Sequence, residues 1–157
     1  MPTSRRYGGG RRTPFVLASV AAYRSGSQCA AKVRLSRYPG APREVVTMFE
    51  HVVPLRWRDS DALGHVNHAV FLTYLEVGRD AFVTEVLRAD PEYVIVRVEL
   101  DFRAEVRLEA RTVTVGIEVE TVGTTSLTTR ERVILPSGEV AAEARVVMVQ
   151  WDVASHS

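Results

Sequence analysis

The chain has 157 residues, 46% of them hydrophobic and 25% charged, with a formal net charge of +1, which suits a soluble globular protein with a core of ordinary size. The near-neutral balance argues against nucleic acid as a partner. The single cysteine, Cys29, excludes an internal disulfide and a cysteine-built metal site, and no run approaches the ~18 apolar residues of a membrane-spanning helix. A cytoplasmic protein with no membrane partner is the expectation.

The balance conceals two unlike parts. Residues 1–47 carry nine basic side chains against one acid, Glu44, for +8, leaving 11 basic and 18 acidic residues, or −7, in residues 48–157. The first part is rich in Arg, Gly, Ser, Ala and Pro and lacks a sustained period of 2 or 3.6, so it reads as a disordered basic tail. Arg11-Arg12 followed by the apolar run from Pro14 to Ala22 faintly resembles a twin-arginine export signal, and the Arg-rich composition an organelle transit peptide. A plainer alternative is translated upstream sequence with Met48 as the start. Residues 48–157 form the domain.

From Glu50 to Trp57, Val53, Leu55 and Trp57 alternate with more polar positions, the period of a half-buried strand. Pro54 cannot donate to a ladder, so that strand is expected to be an edge or to be bulged there. A polar turn from Arg58 to Gly64 follows, then a helix from about Asn67 to Arg88. Phe71, Leu72, Leu75, Gly78, Phe82, Val83, Val86 and Leu87 recur there at three and four residues. Asn67 is the N-cap and Asp90-Pro91 the stop. Gly78, mid-helix on the apolar side, costs about 1 kcal/mol relative to Ala and implies close approach to something flat, such as a sheet.

Four strands follow: Tyr93 to Val106, Arg111 to Val122, Thr124 to Leu135 and Glu139 to Val153. Turns at Gly123 and at Pro136-Ser137-Gly138 make the last three an antiparallel meander. A single helix with an apolar face beside such a sheet must pack across it, so the fold class is α+β in two layers.

Chemistry concentrates between Arg56 and Arg79. The first N–H groups of a helix beginning near Asn67 lack intrahelical partners and carry partial positive charge, able to polarise a carbonyl. Asp59 and Asp61 lie just before it, so a carboxylate can attack that carbonyl or deprotonate a water that does. Each residue also has a structural role available to it. Asp59 can cap a turn or pair with Arg56, Arg58 or Arg79, and Asp61 can hold an Asx-turn. Gly64 supplies an unusual φ or a close approach, and His65 packs in the loop. His65-x-x-His68 beside two aspartates matches no strong metal signature, and no metal or cofactor is expected.

These residues also carry a family likeness. D-S-D-A-L-G-H-V-N-H, the aromatic Phe71 and Y-L-E-V-G-R at Tyr74 to Arg79 resemble D-x-D-x-x-G-H-V-N-N-x-x-Y...Y-F-E-x-x-R. That is the signature of hotdog-fold acyl-CoA thioesterases of the 4-hydroxybenzoyl-CoA thioesterase type. The likeness continues through V-R-V-E-L-D-F at Val96 to Phe102, V-G-T-T-S-L at Val122 to Leu127 and G-E-V-A-A-E-A-R at Gly138 to Arg145, covering about residues 50–153. It implies a hotdog fold, one long helix on a curved antiparallel sheet, paired into homodimers or homotetramers with thioesters bound at the subunit interface. It implies hydrolysis of an acyl-CoA or acyl-carrier-protein thioester, with Asp61 as nucleophile or general base and the helix N-terminus at His68 polarising the carbonyl. Asp59, Gly64, His65, Asn67 and Phe71 then shape the substrate site. A non-catalytic acyl-CoA-binding or sensing module on the same fold is the alternative. Three departures stand out: Phe71 replaces a tyrosine, Arg103-Ala104-Glu105-Val106 lacks a proline, and Glu109-Ala110 replaces a Gly-Asp turn.

Overall fold

The computed structural model describes residues 48–151. The expectations for residues 1–47 and for the strand end at Val153 lie outside the described residues. In chain order the elements are β1 (Phe49–Pro54), α1 (His68–Phe82), β2 (Tyr93–Phe102), β3 (Thr112–Val122), β4 (Ser126–Ile134) and β5 (Val140–Gln150). The five strands make one antiparallel sheet in the order β1-β3-β4-β5-β2. The meander is therefore the middle of the sheet, and the strands flanking the helix are its two edges. Because every neighbouring pair is antiparallel, β1 and β2 run the same way, and the segment containing α1 carries the chain from one edge to the other. The expected hotdog arrangement, one long helix on an antiparallel sheet, is what the chain adopts.

Alternation decides which side chains meet the helix. Val113, Val115 and Ile117 of β3, Leu127 and Val133 of β4, and Ala142, Ala144, Val146 and Met148 of β5 are all buried on the inner face. Phe71, Tyr74, Leu75 and Phe82 of α1 press onto them. Gly78 lets the helix come close: a Cβ there would lie 2.4 Å from Val115 Cγ1. The inner face also holds one ion pair. Arg79 Nη1 donates to Glu131 Oε2 at 2.7 Å and Thr129 Oγ1 to Glu131 Oε1 at 2.8 Å, all three residues buried. Burial pushes the Glu131 carboxyl above its ordinary range, against the pull of Arg79 and Thr129. On the opposite face Glu120 bridges Arg130 and Arg145, and Glu143 bridges Arg103 and Arg132.

Several boundaries differ from expectation. The first strand ends at Pro54, and Trp57, expected on a strand, opens a single 3-10 turn and is 84% exposed. The reason is local: the Leu55 N–H bonds the Arg111 carbonyl at 2.8 Å, after which the Asp59 carboxylate accepts the Arg56 N–H at 2.7 Å and curls the chain. The helix runs on past Phe82 as a wider π-helical turn, Val83–Leu87, and ends at Arg88 in the left-handed region, φ 55°. The second strand ends at Phe102 instead of Val106, because the Arg103 and Ala104 N–H groups both turn onto the Ala141 carbonyl. Leu108–Ala110 then forms a second 3-10 turn. Among the described residues the remaining strands lose one or two residues at their ends, where fraying is usual.

Candidate active site

The turn before α1 is closed by its own backbone. Ser60 and Val66 form an isolated antiparallel bridge. The Asp61 N–H donates to the His65 carbonyl at 2.8 Å, and the Gly64 N–H to the Asp61 carbonyl at 3.1 Å. Gly64 takes φ +81° with open space around it, so conformation and not crowding demands glycine there. Two further bonds tie the turn to its surroundings: Asn67 N–H to the Asp59 carbonyl, 2.8 Å, and Val66 N–H to the Val106 carbonyl, 2.7 Å.

The two aspartates are treated very differently. Asp59 is 2% exposed and its carboxylate is consumed internally: Oδ2 accepts from the Arg56 N–H and from the Tyr74 hydroxyl, each at 2.7 Å, and Oδ1 from Arg56 Nε at 3.1 Å. It was expected among the substrate-binding residues; buried with these donors, it holds the turn from within. Arg79, one of its candidate partners, instead pairs with Glu131. Asp61 is half-buried, and its Oδ1 accepts the Leu63 N–H at 2.8 Å. That bond is the Asx-turn, and it involves one carboxylate oxygen only.

Asn67 caps α1 as expected, its Oδ1 accepting the Ala69 N–H at 2.9 Å while its carbonyl accepts from Val70 at 2.9 Å. Neither bond engages the N–H of His68, the first residue of α1, which stays at the positive end of the helix dipole. The His68 side chain is exposed and stands perpendicular to Phe102, ring centroids 6.4 Å apart. Phe71 is buried against Phe102 and Tyr74, at 5.2 and 6.4 Å. Asp61 thus lies in the turn that leads into the His68 end of α1, and the Phe71–Phe102 pair packs beside that end.

His65 faces the loop after β2. Its Nε2 lies 2.8 Å from Glu105 Oε2 and 3.1 Å from Arg107 Nη2, and Arg107 Nε donates to Glu105 Oε1 at 2.7 Å. The bond from Arg107 holds the exposed Glu105 carboxyl below its usual range. Tyr74, Phe102, Glu105 and Arg107 were not among the expected site residues. For Tyr74 and Phe102 the sequence offered a cue in the quoted motifs; for the Glu105–Arg107 pair it offered none beyond the altered segment that contains Glu105. Among the described residues no group of three or more His, Cys, Asp or Glu side chains is placed to hold a metal ion, and no helix is long and apolar enough to cross a membrane.

The fold is similar to that of known proteins. A thioesterase from Thermus thermophilus, solved with coenzyme A and Zn, is 33% identical with a TM-score of 0.59, over 66% of this chain and 79% of that one. A predicted thioesterase from Bacillus stearothermophilus is 28% identical with a TM-score of 0.60, over 70% and 84%. DHNA-CoA thioesterase from Staphylococcus aureus shares the fold at 14% identity, TM-score 0.62, over 69% and 76%. No curated protein sequence is significantly similar to the chain. Residues 55–156, which include the whole turn, the helix and the sheet beyond β1, match the thioesterase-like superfamily, and with that match, the hotdog sheet and the carboxylate-bearing turn ahead of its helix, the chain belongs to that superfamily.

Proposed function

We propose that the protein hydrolyses an acyl-CoA thioester, with Asp61 and the His68 end of α1 as the reacting pair. The observation that carries this reading is the division of labour between the aspartates: Asp59 is buried and saturated with donors, while Asp61 keeps a carboxylate oxygen beyond its bond to Leu63. In the reaction the thioester carbonyl oxygen accepts from the His68 N–H. Asp61 takes a proton from water as the water oxygen bonds to the carbonyl carbon. The tetrahedral oxyanion then collapses, the carbon–sulfur bond breaks, and the thiolate leaves with the proton, giving a carboxylic acid and free CoA. Direct attack by the Asp61 carboxylate, through an anhydride that water opens, gives the same products. Coenzyme A as the thiol carrier is supported by the Thermus thermophilus relative, which was solved with it.

A second copy of the chain completes the assembly in this proposal. β2 is an edge strand of ten residues without proline, with Ile95, Val96 and Val98 exposed along it. Such an edge is a template for strand pairing.

Release of free thiol from acetyl-, hexanoyl-, phenylacetyl- and palmitoyl-CoA tests the activity. The wild type is expected to turn over at least one of them, and Asp61→Asn to lose about 10²–10⁴-fold in kcat, the usual contribution of a positioned general base. The bond from the Leu63 N–H to Asp61 would equally serve a module that binds acyl-CoA without hydrolysing it. Binding without thiol release, or full activity in Asp61→Asn, would establish that reading instead.

A further inference from the structure

We infer that Phe102 sets the acyl preference, presenting an apolar ring on which the acyl group of the thioester lies; this rests on the thioesterase reading above. Along β2, Val98, Leu100 and Phe102 fall opposite Val146, Ala144 and Ala142, the inner-face residues of β5. Arg97, Glu99 and Asp101 alternate to the other face, so the side of β2 turned toward α1 carries no charge in this stretch. Ala142 and Ala144, the register partners of Phe102 and Leu100, are small and buried, so Phe102 is the large side chain at this end of the inner face.

Phe102 stands at 86° to Phe71 and at 90° to His68, yet 52% of it stays exposed. The core gains little from such a ring, and a strand-end position next to solvent would accept a polar residue. Leu72, exposed on α1, lies one helical turn beyond His68. An apolar strip thus begins beside the N–H that donates to the thioester oxygen and runs outward over Phe102. A carbonyl anchored at His68 sends its substituent along that strip. The ligand chemistry that fits is an apolar acyl group with bulk beyond two carbons.

The test compares kcat/KM for acetyl-, hexanoyl- and phenylacetyl-CoA in the wild type, Phe102→Ala and Phe102→Leu. The wild type should favour both bulky substrates over acetyl-CoA by about tenfold or more, the discrimination an apolar pocket gives for one or more methylenes. Phe102→Ala should shrink that ratio about tenfold, and Phe102→Leu should keep most of it. Whichever of hexanoyl and phenylacetyl is the better substrate distinguishes a chain from a ring, and either supports the inference. An unselective wild type overturns it, as does an equal loss on all three substrates in Phe102→Ala. A changed oligomeric state in Phe102→Ala with such an equal loss would assign the ring to a subunit interface and also overturn it. Hydrolysis with an unmoved ratio sinks this inference alone; no thiol release from any thioester sinks the function as well.

Discussion

Tyr74 shows how much one side chain does for the turn that carries Asp61. Its hydroxyl is the donor to Asp59 supplied by α1, and the ring is 0% exposed. Hydrogen bonds to charged groups contribute roughly 1.5–3 kcal/mol, so Tyr74→Phe should destabilise by about that amount in urea unfolding. The same bond gives stability a pH dependence. Burial first, and then the bond to Asp59, raise the Tyr74 phenol above its ordinary 10.0. A raised phenol favours the folded state while it is neutral. That contribution is complete below 10.0 and is lost as the pH rises toward the folded-state value. Tyr93, raised by burial and by its bond to Asp80, acts in the same direction. Unfolding free energies measured below and above that pH should fall for the wild type and fall less for Tyr74→Phe; an identical slope would remove Tyr74 from the account.

α1 is where the sequence spoke most clearly, and Gly78 shows why. Glycine on the apolar face of an otherwise regular helix pointed to a flat neighbour, and Val115 is that neighbour. Gly78→Ala should gain about 1 kcal/mol of helix propensity and lose roughly 1–3 kcal/mol to overpacking. Net destabilisation is expected, with strong non-additivity when combined with Val115→Ala in a double-mutant cycle. Additive effects would mean that the two do not touch. Trp57 departs from its expected strand for the opposite reason. Its alternation with Val53 and Leu55 is a strand period, but the strand had already been ended by Pro54 and the Asp59–Arg56 bonds. Periodicity sees side-chain polarity and misses such local hydrogen bonding. Nor does it show that Tyr74 reaches back fifteen residues to Asp59, or that His65 meets Glu105 across the loop after β2.

At the scale of the molecule, the element order and the meander were legible because each strand carried its own alternation and its own turn residues. The placing of β1 and β2 at opposite edges was only half legible: Pro54 marked β1, while nothing in β2 declares an edge. Its exposed Val96 and Val98 belong with the proposed pairing to a second copy. Arginine at both positions should convert a dimer, measured by sedimentation equilibrium, into a monomer, since like charges brought face to face across paired edges repel. A monomeric wild type at micromolar concentration would defeat the pairing. Glu131, charged and at 0% exposure, sits where alternation alone would have put another valine or leucine. Burying such a pair gives little net stability, but losing one partner costs about 3–5 kcal/mol. Its consequence is an alignment. A helix slid by one turn, about 5.4 Å, would take Arg79 away from its carboxylate on the inner face and strand both charges in hydrocarbon. The ion pair works as an index pin: it admits one setting of α1 along the sheet, and in that setting the N-terminus of the helix comes to rest beside Phe102.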